Sequence, residues 1–427
     1  MRGPTRRSFL AGSAALPFAA PVDAAALASV AADLRRYVGL GIKQSGGAGD
    51  AACGHWLAGE LEAAGFVVEK PAISVPWFEA GRCEISTGAA QAALWPQPIV
   101  TPTPQAGVSG PLVRVDPEGR ADAPLAGAIA LVDLPYGRWS SALARPVRAP
   151  IGAAIAGGAA AVAVITNGPT GRVIALNADG RAPIFSRPVG LLAPMEAQPF
   201  LAAALRHEPA TVTIAGRGGH RPAFNLIGRL VRGNLPWIAV STPRSGWFAC
   251  AGERGGGVAA WLALARWAPA ALPGHNLAFL CNSGHEYENL GAQAALKTAA
   301  PSPAETAFWL HLGANLAARD WHEGLLGLEP LSATDSQRYL VTSAPLLPVA
   351  RRLFAGLAGL ENPYPSTRFS AGELTAIIAA GYPSVAGIFG VHRFHHVAAD
   401  DMRCVSAEAV AATIEAFRHL LAAAVRG

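Results

Sequence analysis

The chain has 427 residues, about half of them apolar and only 15% charged, with a formal net charge of +5. That composition supplies ample apolar surface for a large buried core and excludes a disordered chain. The length points to two structural units. Without a dense basic run, the positive balance carries no nucleic-acid footprint.

At the N-terminus, Arg6 and Arg7 precede Phe9-Leu10, a modest apolar run and small residues suited to cleavage near Ala24. This is the pattern of a twin-arginine export signal over residues 1–24, which predicts a periplasmic or secreted protein. Beyond the first thirty residues no apolar run of roughly 18 or more residues occurs, so no transmembrane segment is expected. The five cysteines (Cys53, Cys83, Cys250, Cys281 and Cys404) are scattered without CxxC spacing. One or two disulfides are compatible with export, but the spacing does not pair them.

Leu27, Val30, Leu34 and Val38 recur at helical spacing, and residues 52–64 form a second apolar-faced helix ended by Gly65, with a strand at 66–69. From about 96 to 218 the texture changes to short Val/Ile-rich strands (128–134, 161–166, 211–215), Pro-rich loops and a Gly/Ala helix near 151–159. This reads as a small β-rich domain, 96–218, inserted into a larger α/β domain made of 25–95 and 219–427. Strand and helix then alternate: strands at 237–241, 275–282 and 306–312, helices at 258–267 and 290–297, and a closing helix at 406–425. Such alternation implies a largely parallel, mixed sheet with helices on both faces.

In sheets of this kind ligands gather at the carboxyl ends of the strands. The loops there carry Glu253, His285, Glu286 and His311, and a C-terminal segment, RFHHVAADD, adds His395 and His396. Carboxylate and imidazole are the donors that zinc and similar divalent metals favour. Glu and Asp are also common at helix starts, and a lone loop His is usually only a hydrogen-bonding group.

These segments resemble the secreted co-catalytic zinc aminopeptidases and their glutamate-carboxypeptidase relatives. The resemblance runs through GHWLAGELEAAGFVVEK, through residues 224–229 (FNLIGR) and through RFHHVAADDMRCV, where His396 and Asp400 align with a closing His-x-x-x-Asp. The 96–218 segment looks like the protease-associated domain that many members carry. The resemblance implies their fold, a peptide or small-molecule substrate and a metal site. The metal motifs depart from the family pattern, however. Pro243 and Ser245 stand where a His-x-Asp is expected, which abolishes one metal position. Glu253 stands for the bridging Asp, His285-Glu286 for a Glu-Glu pair, and His311 falls at or near an expected Asp.

What remains implies one zinc or other divalent ion on Glu253, Glu286 and His396, with His311 as a further candidate ligand and His285 as the base. Two other readings stay open. One is a non-catalytic peptide or small-molecule binding protein that holds no metal. The other is a metal-independent hydrolase using Ser241, Ser245 or Cys250. Arg244, Arg254, Trp247 and Tyr287 are candidates for substrate contact. Either arginine is equally placed to pair with Glu253.

Overall fold

A computed structural model describes residues 23–426, so the expected export signal lies outside the described residues except for its last two positions. Asp23 caps the first helix, Ala24–Gly39, by accepting from the Ala25 amide. No described helix is long and apolar enough to cross a membrane.

The main sheet has eight strands in the order Val67–Glu69, Leu226–Leu230, Asn276–Asn282, Trp237–Pro243, Thr306–Leu312, Val385–Gly390, Arg338–Thr342 and Tyr364–Pro365. Its four central strands are mutually parallel, whereas the first three neighbours pair antiparallel, as do Arg338–Thr342 and Val385–Gly390. Every residue of Asn276–Asn282 is buried, as expected for a strand covered on both faces. Helices Ala24–Gly39, Ala48–Ala63, Gly256–Ala271 and Ala407–Ala424 pack on one face around Trp261, Phe279 and Phe417. On the other face, residues from Leu290–Thr298 and Glu373–Ala379 close over Trp309 and Leu280.

A second eight-stranded sheet takes its strands from Ala72 to Phe224 and contains the 96–218 segment. Its inner strands alternate strictly. Val113, Ala130, Val132, Val162 and Val164 face helix Arg145–Ala156, while Leu112, Ile129, Leu131, Ala161 and Ala163 face helix Gln198–Ala204. The period of two sorts one strand into two cores. The two units meet through a long antiparallel ribbon, Ala72–Thr87 against Pro209–Phe224. They also meet at Arg138, whose Nη1 donates to Asp335 at 2.8–2.9 Å. All five cysteines are free thiols, four of them buried.

Candidate active site

The parallel strands Asn276–Asn282, Trp237–Pro243 and Thr306–Leu312 lie side by side, so their carboxyl ends deliver three loops to one place. After Pro243 the chain passes Cys250, at φ +56, and enters a π-helical turn, Ala251–Gly255, that runs directly into helix Gly256–Ala271. Such turns displace a side chain from the regular helical spiral and recur at functional sites. Here the turn carries Glu253 and Arg254.

Asp400 fixes this turn. Its two carboxylate oxygens accept from the amides of Gly252 (2.7 Å) and Glu253 (3.0 Å). His392 Nε2 lies 3.4 Å from the same carboxylate. The grip requires glycine at 252, because a Cβ there would lie 2.7 Å from His392 and 3.0 Å from the Cys404 carbonyl.

Glu253 is buried, and its Oε1 lies 3.3 Å from His396 Nε2 and 2.8 Å from Arg254 Nη2. His396 adopts φ +58 and is held there by Nδ1 donating to the Ala175 carbonyl at 2.8 Å, which leaves Nε2 as the free nitrogen facing Glu253. His395 stacks on His396 with ring centroids 4.1 Å apart. Burial alone would raise the Glu253 carboxyl, but Arg254 and then His396 outweigh it and hold that group well below its ordinary range. Burial, and then His396, push the His395 imidazole well below its ordinary value.

The donor atoms of Glu253, His395 and His396 all lie within 4.8 Å of one another, the one such three-residue group among the described residues. Both Glu253 oxygens and His395 Nδ1 are buried without a hydrogen-bond partner. Arg254 Nη2 also lacks one, so its contact with Glu253 is close but poorly directed. Buried polar atoms left unpaired in this way are costly. A divalent ion on these three residues would satisfy the free oxygen and both imidazoles, so the donor set fits a zinc-type ion. Arg254 is the countervailing feature, since it places a positive charge on the same carboxylate.

A cavity of about 260 Å³ lies beside this cluster, lined by Arg254, His285, His311, Tyr339, Glu373 and His395 among others. His285 Nδ1 lies 3.3 Å from Glu373 Oε1, and Glu373 Oε2 accepts from Asn282 at 3.2 Å. A carboxylate partner requires Nδ1 to be the donor, leaving the His285 Nε2 lone pair free. Burial, then the Arg254 charge, lower the His285 pKa, with Glu373 opposing.

The other sequence candidates take different places. Glu286 is not in the three-residue group: its oxygens accept from the Ser45 amide (2.9 Å), Ser45 Oγ (2.6 Å) and Ser245 Oγ (2.7 Å). It thereby ties the 42–47 loop to the site, and burial raises its pKa. His311 sits on the cavity wall, its Nδ1 2.9 Å from Ser241 Oγ. Arg244, read as facing a ligand, is enclosed: it is 0% exposed and ion-paired to Asp50, and it donates to the carbonyls of Cys281 and Phe224. A guanidinium so enclosed, with each of its three nitrogens engaged by its own chain, does not reach substrate. Trp247 and Tyr287 are buried and pack on each other at 5.7 Å, on the wall of a separate aromatic cavity with Trp77 and Trp95. Ser241, Ser245 and Cys250 are all buried. Both hydroxyls are hydrogen-bonded within the site, and burial raises the Cys250 thiol well above its usual pKa. Glu373, His395 as a third donor, and Ser45 are site residues that the sequence reading did not assign.

No family model and no curated relative matches the chain. Its structure is similar to that of a zinc aminopeptidase from Bacillus subtilis, with a TM-score of 0.71 and 16% identity over 93% of this chain and 94% of that one. It is also similar to an M28 peptidase precursor from Shewanella amazonensis (TM-score 0.70, 16% identity, 93% and 92% covered). An aminopeptidase from Aneurinibacillus sp. strain AM-1 gives 0.66 and 17% over 93% of both chains. The chain therefore has the zinc-aminopeptidase fold across nearly all of its length.

Proposed function

We propose that this protein is an exported hydrolase of peptide or related amide bonds that works with a single divalent metal ion rather than two. The observation that carries the reading is the convergence of Glu253, His395 and His396, with both Glu253 oxygens and His395 Nδ1 buried without a hydrogen-bond partner, beside a His–carboxylate pair in one cavity. An ion held there would supply Lewis-acid polarisation of a carbonyl oxygen. The Arg6-Arg7 export pattern and the fold shared with zinc aminopeptidases support the same assignment.

The chain's own residues account for the remaining steps. His285, held in one tautomer by Glu373, presents an Nε2 that accepts a proton from a water molecule in the cavity as the water oxygen bonds to the amide carbon. The imidazolium returns that proton to the leaving nitrogen as the C–N bond breaks. Glu373 stabilises the resulting imidazolium. Asp400 and the Ala175 carbonyl hold Glu253 and His396 in register. The substrate's reacting group is enclosed by a wall that includes Tyr339, Phe389 and Val391.

Elemental analysis of the purified protein is expected to find about one equivalent of zinc or a similar metal, with turnover of aminoacyl or peptidyl amides lost on chelation and restored by the metal. Protein that is metal-free and inactive under saturating metal would defeat the reading. Arg254 supports one specific alternative: its contact with Glu253 already neutralises that carboxylate, as in a metal-free binding protein. In that case calorimetry would detect peptide binding unaffected by metal.

The His285–Glu373 pair makes a second test. Glu373→Gln is expected to lower kcat by about 10²-fold, in the range found for misoriented general bases, with little change in metal content. Because burial keeps the His285 pKa below its usual value, the acid limb of kcat should fall below pH 6.5 rather than above it. An acid limb with its midpoint above pH 6.5 would remove His285 from the role of base.

A further inference from the structure

His311 forms part of a chain of three groups whose proton order follows from their chemistry. The Trp309 indole Nε1 lies 2.8 Å from Ser241 Oγ, and Ser241 Oγ lies 2.9 Å from His311 Nδ1. Indole N–H is a donor only, so the Ser241 oxygen accepts from Trp309. No other described group accepts the Ser241 hydroxyl proton, so its donation to His311 Nδ1 is the arrangement that leaves no proton of this buried serine unpaired. His311 therefore carries its proton on Nε2. All three residues are at most 2% exposed, so water does not scramble the order.

The Nε2 edge is the one turned to the cavity. His311 and Gly313 both line it, and a Cβ added at Gly313 would lie 3.5 Å from Nε2, while clashing with the Ile388 carbonyl at 2.5 Å. Glycine thus keeps the space in front of this nitrogen open. No described residue accepts from Nε2, although Glu373 and His285 stand nearby. Burial holds the imidazole down to about 4, with His285 and Arg254 adding to the effect and Glu373 opposing it. The neutral form of the ring is thereby favoured at neutral pH.

We propose that His311 is a hydrogen-bond donor that binds the carbonyl oxygen of the substrate amide through Nε2–H, with Ser241 and Trp309 as positioning residues that fix its tautomer. This role rests on the hydrolase reading and assigns His311 to the substrate rather than to a metal. A neutral N–H aimed at the oxygen that gains negative charge stabilises the transition state more than the ground state.

The test has two independent readouts. In the full-length protein labelled with ¹⁵N-histidine, the His311 resonances, assigned by their loss in His311→Gln, are expected to show protonated Nε2 and unprotonated Nδ1. Adding acetyl-leucinamide is expected to move the Nε2–H signal downfield. Ser241→Ala should mix the tautomers. In turnover, His311→Ala is expected to lower kcat by about 10²–10³-fold with a small change in KM, as for loss of one such donor. His311→Gln, whose amide reaches the same position as Nε2, should restore at least tenfold. A protonated Nδ1 in the wild type, or a kcat for His311→Ala within threefold of wild type, overturns the proposal. Should the wild type bind the amide through Nε2–H and hydrolyse nothing, the hydrolase reading fails and the donor assignment stands.

Discussion

Replacing Glu253 by Ala is expected to remove bound metal, abolish turnover and destabilise the fold by about 3–5 kcal/mol, the range for breaking a buried ion pair from one side. Arg254 and Glu253 are 2% and 1% exposed, so removal of the carboxylate leaves an enclosed guanidinium without its ion-pair partner. The large effect is that stranded cation, and a second variant separates it from the lost contact. Glu253→Ala combined with Arg254→Met removes both charges and should recover most of the loss in urea denaturation while remaining inactive. Arg254→Met alone leaves Glu253 with only His396 and His395, a set that a divalent ion completes. Its metal affinity should therefore rise above that of the wild type, because a competing cation has gone. Affinity that falls in Arg254→Met would mean that the arginine shapes the metal site rather than opposing it.

The opposition between Arg254 and a metal also shows which parts of the site a sequence carries and which it does not. The strands at Trp237–Pro243, Asn276–Asn282 and Thr306–Leu312 were legible because each is an apolar run bounded by turn residues. Their parallel order then gathers Glu253, His285 and His311 without any knowledge of side-chain direction. Direction is where legibility ends. Arg244 and Arg254 flank the same loop with the same side chain, yet one points back to Asp50 and the other toward Glu253. The difference arises from a π-helical turn that no apolar period encodes. Glu286 kept the residue type of a ligand but is claimed by Ser45, 241 positions away, and a lone serine in a Gly-rich loop gives no warning of that. Glu373 had a faint signal, an acidic residue after Gly372 at the head of an apolar helical repeat formed by Leu374, Ile377 and Ile378. Helix starts carry Glu for ordinary reasons, so only its 3.3 Å approach to His285 distinguishes it.

The same cluster of buried imidazoles is expected to make the metal-free protein acid-labile. His311 has a folded pKa of about 4 against an ordinary value near 6.5, and the His285 pKa is also lowered, burial being the main cause for each. Between pH 6.5 and 4 the unfolded chain binds a proton on His311 that the folded chain does not, and below pH 6.5 His285 acts in the same sense. Stability therefore rises with pH in this window, is complete above about 6.5, and falls as the pH is lowered toward 4. For His311 alone the loss across the window amounts to about 3 kcal/mol, because one proton taken up on unfolding costs about 1.4 kcal/mol per pH unit. His285 adds to it. Glu286, whose pKa burial raises, acts in the opposite sense, gaining stability as it protonates, and softens the lower end of the window. Urea denaturation in the presence of a chelator should show an unfolding free energy that drops steeply from pH 7 to pH 4.5, with net proton uptake on unfolding. His311→Gln cannot take up that proton, so its profile should be flatter by about one proton over the same range. An equally steep profile in that variant would mean that His311 is protonated in the folded state and is not the neutral donor assigned to it.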